Sequence, residues 1–548
     1  MLNFKNIFMK KIKISFLLFL GLMAVTQSCT NDLNVTPEDD DDFLSENFFA
    51  QPDAYKRAVA GVYGNLSLTG TTGPGSSLLQ GIDAGTSQYT RCVWYMQELP
   101  TDELIWSYEG SGDPGVREIQ RNIWNGDNPI FLGMYSRAMV QVALANEFLR
   151  QTTPAKLSAR GVTNPAEITE IAFYRAEVRA LKSLAYYHLL DLFGKATLVT
   201  ENDPINFRGP QIEKTELFNY IESELLAVLP SLKEAKTNES GRLDKAFAWA
   251  ILSKIYLNAE VYTGTARYED CMTMCSNIIG AGYTLKQNYL DNFKADNNTS
   301  NELIFAIESD GLRTQNYGAT TVMCNGQVGS VEGNGQSLYG VNGWGGALRL
   351  RKQFVQKFDG AEFDFDSRKT IISAGRPIDI ANVGIQAQGY VLGKWSNRTS
   401  SGLAGQNSTF VDTDFPLFRL ADFYLMYAEA QMRKDGASNG NATANANSTS
   451  LGYINALRER ANDGNFANVT TGQVTLNFLV DERARELHWE GHRRQDLIRF
   501  GKFTGGNYVW AWKGNATNGV SIPAYLKVYP LHPNTINANP NLIQNAGY

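Results

Sequence analysis

The sequence predicts a mostly α-helical protein of stacked helical hairpins, with a loop-rich, glycine-rich insert that carries the ligand site. Three observations predict this. Apolar residues recur at helical spacing through several long segments. Those segments follow one another across short joints, as in stacked helix pairs, although the roughly 34-residue tetratricopeptide signature is not matched in detail. Between about residues 288 and 414 the texture changes, and Gly, Asn, Ser and Thr become dense. One stretch there holds Gly329, Gly333, Gly335, Gly340, Gly343, Gly345 and Gly346.

The N-terminus predicts a processed leader. Lys10, Lys11 and Lys13 precede an apolar run from Ile14 to Val25, then Thr26, Gln27, Ser28 and Cys29. A basic segment, a short apolar core and small residues before the cut make a secretory signal, and a Cys at the cut makes it a lipoprotein signal over residues 1–28. The apolar run is shorter than the about 20 residues a bilayer span needs. The expected mature chain begins at Cys29, lipidated and tethered to a membrane; an ordinary secreted protein with a chance cysteine is the alternative. Residues 29–44 are a polar tether ending in Asp39, Asp40, Asp41 and Asp42, a like-charge block that stays solvated and lacks the spacing of a calcium loop.

The body spans 45–548, mainly helical over 45–287 and 415–548, with the insert at 288–414. Its first helix is expected near Ser45. Asn164, Pro165 and Glu167 form an N-cap, N1 proline and N3 acid, opening a helix that runs to Phe193 and stops at Gly194. Ile171, Val178, Leu181, Ala185, Leu189 and Leu192 line one face. A second helix starts near Thr215, with Leu217, Ile221, Leu225 and Leu229 on one face. Further helices are predicted over Lys245–Tyr262, Tyr268–Ile279, Leu420–Arg433, Leu451–Ala461 and Asn477–Phe500. Function is expected on the insert and on the segment from Leu68 to Asp113, read as a loop, because binding residues concentrate on loops held by a scaffold.

At 548 residues the chain exceeds the size of one growing core. A net charge of −6 without a basic stripe argues against nucleic acid as partner. No later apolar run reaches 18 residues. Cys92, Cys271, Cys275 and Cys324 allow three pairings, but buried free thiols are expected in so long a chain. There is no phosphate loop and no H-E-x-x-H. His488 and His492 stand four apart on a predicted helix without a third metal ligand. Asp102 and Glu103 are adjacent acids, more often hydrogen-bond anchors than the separated pair of a glycosidase. The chain is expected to be a binder and not an enzyme.

Five ordered blocks carry a resemblance: Arg179–Gly194 (RALKSLAYYHLLDLFG), Gly241–Leu257 (GRLDKAFAWAILSKIYL), Pro416–Ala430 (PLFRLADFYLMYAEA), Asp481–Gly501 (DERARELHWEGHRRQDLIRFG) and Asn539–Tyr548 (NPNLIQNAGY). Together they resemble the SusD/RagB family of Bacteroidetes surface lipoproteins, from Cys29 to the last residue. The resemblance implies a fold of tetratricopeptide-like hairpins and a lipid anchor in the outer membrane at the cell surface. It also implies a SusC-like TonB-dependent transporter as partner and capture of glycan for import without catalysis.

Further blocks, among them ELPTDELIW at 98–106, DGLRTQNYG at 310–318, NGW at 342–344, DTDFPLFR at 412–419 and WAWKGNATNG at 510–519, are similar to starch-binding members of the family. By that similarity Trp106, Tyr108, Tyr317 and Trp344 form an aromatic arc, while Arg91 hydrogen-bonds sugar hydroxyls. Tyr108 stands where such members carry tryptophan, and Ser111 where they carry asparagine. The residue types suit the ligand independently, since a pyranose has an apolar C–H face for an aromatic ring and a polar rim for donors and acceptors. Rings on a curve fit the coil of an α-1,4-glucan. Trp344, flanked by glycines, is expected to be exposed; Trp249 and Trp489, set in helical patterns, are expected in the core. A surface glycosidase and a protein-binding helical scaffold are the alternative classes.

Overall fold

The computed structural model describes residues 45–109, 113–328, 335–373, 375–463 and 467–548. The leader, the lipidation cysteine Cys29, the acidic tether and Ser111 lie outside the described residues. The chain divides into two compact units, one through Tyr55 and the other from Lys56 onward. In the first, a one-turn helix at Ser45–Phe49 brings Phe49 against Tyr55, with ring centroids 5.1 Å apart.

The second unit is mostly helical. Its main elements are α1 (Tyr89–Glu98), α2 (Pro129–Gln151), α3 (Pro165–Phe193), α4 (Lys214–Val228), α5 (Lys245–Leu257), α6 (Tyr268–Gly280), α7 (Ala319–Gly326), α8 (Leu420–Lys434), α9 (Ser448–Ala461), α10 (Leu476–Leu487) and α11 (Arg493–Arg499). Successive helices pack as hairpins: α2 on α3, α3 on α4, α5 on α6, and α8 against both α6 and α9. Strands are short and paired in twos. β1 (Leu104–Trp106) is antiparallel to β3 (Leu348–Leu350), and β2 (Leu303–Ile307) is antiparallel to β4 (Phe415–Arg419).

Local signals fix α3 as predicted. The Asn164 side chain accepts from the Ala166 amide, Pro165 occupies the first position, and Gly194 caps the end at φ 69°. Every apolar position predicted on its inner face is buried. Three expectations require correction. The segment 245–262 is two helices divided at Asn258. Leu68–Asp113 is not simply a loop, because it contains α1, all ten of whose residues are buried, and β1. The predicted helix 477–500 is broken between α10 and α11: Trp489 has φ 61° and Gly491 φ 85°, so His488 and His492 do not share a helical face.

The break is held from outside. Glu103 accepts the Trp489 amide at 3.0 Å, Glu98 accepts those of Gly491 and His492 at 2.5 and 2.9 Å, and the Asp102 carboxylate clamps Arg493 at 2.7 and 2.8 Å. Asp102 and Glu103 are therefore anchors for the α10–α11 turn. His492 Nδ1 meets Lys254 Nζ at 3.0 Å and His488 Nδ1 meets the Arg485 carbonyl at 3.0 Å. Burial drives both imidazoles below their ordinary pKa, His492 to about 3.

The charged block 481–501 lies inside. Arg419 pairs with Glu302, Glu486 and Glu490; Arg368 with Asp366, Glu482 and Glu486; Arg460 with Glu302 and Glu486. All of these side chains are at most 3 % exposed. The blocks that carry the resemblance meet here across the chain: Asp422 of α8 binds Lys254 of α5 and Arg483 of α10, and Arg494 of α11 reaches Asp191 of α3. Buried charge persists only when paired and hydrogen-bonded. Trp489 is fully buried and Trp249 half-buried. Cys92, Cys271, Cys275 and Cys324 are free and buried.

Candidate functional site

The predicted site residues converge on one scaffold made of α1, α7 and the β1–β3 ribbon. Trp106 pairs in register with Leu348, and beyond that pair the Ser107 amide donates to the Ala347 carbonyl at 2.8 Å. Alternation along a strand puts residues two apart on one face, so Trp106 and Tyr108 share a face with Leu348 and, further along the same segment, Trp344. The Trp106 ring stands edge-on to Tyr108 at 6.0 Å, to Trp344 at 6.3 Å and to Tyr95 of α1 at 6.3 Å.

These rings differ in access. Tyr108 is 41 % exposed and Trp344 half-buried, whereas Trp106 is 1 % exposed. Trp106 as an open stacking ring is therefore corrected: it is buried among Tyr95, Tyr108 and Trp344 and supports the outer two. Gly326 at the end of α7 permits that approach, since a Cβ there would come within 2.8 Å of Leu348 and 3.1 Å of the Trp106 ring.

Helix α7 positions the remaining rings. Tyr317 precedes its first turn, where Asn316 accepts the Gly318 amide at 2.8 Å. Trp344 is hung from its other end, its amide donating to the carbonyls of Asn325 and Val328 at 2.8 and 3.0 Å. Eight residues rise about 12 Å, which separates the two attachment points. Tyr317 is half-buried and packs edge-on against Phe410 at 5.0 Å. Thr409, next to Phe410, accepts from Asn342 Nδ2 at 3.1 Å, so the surface runs continuously from Tyr317 through Phe410 and Asn342 to Trp344 and Tyr108.

Arg91 sits in the first turn of α1, which packs on α7. It is buried: Nε donates to the Tyr95 hydroxyl at 2.8 Å and Nη2 to Asp113 at 2.6 Å. Burial opposes its charge, but Tyr95, Asp113 and Asp83 outweigh that and hold the guanidinium protonated. Nη1 faces Gly85, where an added Cβ would lie 3.1 Å from Nη1 and 3.2 Å from both Asp83 and the Tyr317 Cβ. Arg91 thus borders Tyr317. Asp83, Asp113, Tyr95 and Phe410 border these residues and were not singled out from the sequence; for the first three the ring-and-carboxylate composition of 83–113 is the signal they left. Among the described residues no cluster of three or more His, Cys, Asp or Glu side chains suits a metal ion, and no helix is long and apolar enough to cross a membrane.

Among the described residues the arrangement is a set of partly exposed rings with the Arg91 guanidinium beside them, on a helical-hairpin body. A sequence profile of the SusD family matches residues 301–548. The starch-binding protein SusD of Bacteroides thetaiotaomicron is 34% identical over 96% of this chain and 97% of its own length. A SusD-like protein of Bacteroides ovatus is 24% identical over 63% of each chain. Among solved structures, a SusD superfamily protein from B. thetaiotaomicron superposes with a TM-score of 0.67 at 18% identity, covering 90% of this chain and 99% of that one. Surface glycan-binding protein A from B. thetaiotaomicron, in complex with laminarihexaose, does so with a TM-score of 0.66 at 19% identity, covering 90% and 99%. The chain belongs to the SusD family.

Proposed function

We propose that this chain is a lipid-anchored protein of the outer-membrane surface that binds starch and α-1,4-linked maltooligosaccharides and passes them to a SusC-like TonB-dependent transporter. It acts as a binder and carries out no catalysis. The observation that supports the glycan assignment best is the placement of Tyr108, Trp344 and Tyr317 along one surface with Arg91 beside them. Ring faces stack on the apolar side of the pyranose while Arg91 Nη1 and Ser111 meet hydroxyls at its rim. The similarity to a starch-binding relative favours α-glucan within that class. Engagement of Asp102 and Glu103 in the α10–α11 turn leaves them no role as a hydrolytic pair, which supports the non-enzymatic reading.

Isothermal titration with maltoheptaose, laminarihexaose and a xylan oligosaccharide tests the glycan. Maltoheptaose is expected to bind with a Kd of about 10 μM to 1 mM, or roughly −7 to −4 kcal/mol, and the others to give no heat. Binding of laminarihexaose alone overturns the α-glucan assignment, and sustained release of reducing ends overturns the binder. For the anchor, Cys29→Ala is expected to leave the fold intact and release the protein from membranes, because acyl burial at about 0.8 kcal/mol per CH₂ supplies the attachment. A variant that fractionates with membranes when the transporter is missing contradicts it.

A further inference from the structure

Tyr108 presents its ring at the surface while its hydroxyl is engaged within the protein. The O–H donates to the backbone carbonyl of Trp344 at 2.8 Å. This bond crosses from the β1 side of the ribbon to the β3 side, beyond the last main-chain bond at Ser107 and Ala347. The segment it reaches is held on its inner side by backbone amides: Gly343 donates to Asn325 Oδ1 at 3.2 Å and Gly346 to the Val328 carbonyl at 3.1 Å, beside the Trp344 amide itself. Gly343 and Gly345 flank Trp344 with φ of 76° and 73°, in the left-handed region where glycine lowers the barrier to other backbone states. The amides there point inward, to Asn325 and Val328, so the Trp344 carbonyl points outward and Tyr108 takes it. On the β1 side, the next residue, Glu109, is pinned by Arg121 and by Gln120 Nε2 at 2.8 Å. A fixed strand end is thereby tied to a glycine-bordered ring.

We infer that the Tyr108 hydroxyl is a positioning group for the glycan site: it fixes the Trp344 ring and does not itself meet the sugar. The inference rests on the glycan-binding reading above. Holding a binding surface in its bound conformation raises affinity by lowering the ordering cost, and apparent affinity scales with the fraction of molecules that are competent. With the hydroxyl occupied, Tyr108 offers a sugar only its face. Discrimination among hydroxyl patterns at this end of the surface then falls to shape, and hydrogen-bond selection to Arg91 and its neighbours.

Two measurements on Tyr108→Phe test this, one of them without ligand. The chain's nine tryptophans, labelled as 5-fluorotryptophan, give ¹⁹F signals, and Trp344→Phe identifies that of Trp344. In ligand-free Tyr108→Phe the Trp344 signal is expected to shift or broaden while those of buried Trp94 and Trp489 stay in place. The Kd for maltoheptaose is expected to rise about two- to tenfold, the net worth of one hydrogen bond, with the thermal midpoint unchanged. An unmoved Trp344 signal overturns the inference: if affinity falls all the same, the hydroxyl contacts sugar directly. A moved signal with unchanged affinity also overturns it, because the restraint then has no bearing on binding. Should the parent bind none of the α-glucans, the starch reading fails, and the ligand-free spectrum still decides whether the hydroxyl holds the ring.

Discussion

The α10–α11 region and the aromatic surface set their characteristic side chains against water in opposite ways. In the first, at least a dozen charged side chains are withdrawn from water and paired with one another, as around Arg419, Arg368 and Glu486. In the second, large rings stay partly in water, held by backbone hydrogen bonds from α7 and by one buried ring beneath them. The charged region ties distant parts of the chain together, while the aromatic one is the proposed glycan site. Stability and binding should therefore respond to different mutations.

The largest expected effect is in the ionic core. Glu486→Ala leaves Arg419, Arg368 and Arg460 short of a buried partner and is expected to cost about 3–5 kcal/mol. Chemical denaturation measures it, and maltoheptaose affinity per folded molecule should not change. A loss below about 1 kcal/mol would mean that water reaches these charges.

Acid should separate the regions next. Burial would raise the Glu482 carboxyl, but Arg368, Arg485 and Arg458 outweigh it and hold the pKa at about 2. A carboxylate depressed below its ordinary value of about 4.3 gives stability that is present above that pH and lost as pH falls toward 2. For this group alone the loss is on the order of 3 kcal/mol. Asp496, held at about 2 by Arg483 and Arg499 against burial, acts in the same window. Unfolding free energies at pH 5 and pH 2.5 check this, and equal values contradict it. Affinity between pH 5 and 8 should stay flat, because Arg91 remains charged throughout.

The smallest change in stability and the sharpest in binding are expected at the surface. Trp344→Ala should lower maltoheptaose affinity at least about tenfold, or ~1.4 kcal/mol, with the thermal midpoint almost unmoved. Tyr317→Ala should act in the same direction. Parent-like binding by both variants would place the site elsewhere.

The sequence made α3 legible from end to end because its limits are local: an asparagine cap, a proline in the first turn and a glycine at the close. The break at Trp489 was not legible. Its left-handed backbone is stabilised by Glu98 and Glu103, almost 400 residues away in the chain, and Gly491 is the one local sign of it. Helix α1 escaped for another reason: it is short, and its polar residues Thr90, Arg91, Gln97 and Glu98 are buried with the rest, so polarity there marks no solvent face. At the site, Trp344 stood out among its glycines. The burial of Trp106 could not be read, because three paired residues carry too little alternation to tell a supporting ring from an open one.

The anchors of the α10–α11 turn also constrain the order in which the molecule can assemble. Glu98, Asp102 and Glu103 wait near the beginning of the body for Trp489, Gly491 and Arg493 near its end, and Arg419 waits for Glu486 and Glu490. Until those last elements arrive, the acids and arginines of the middle of the chain have no reason to leave water. Pairings so distant in sequence form slowly, since the intervening chain must be closed first. The ionic core can therefore close only when the C-terminal elements are in place, whereas the hairpins of α2 with α3 and of α3 with α4 need nothing so distant.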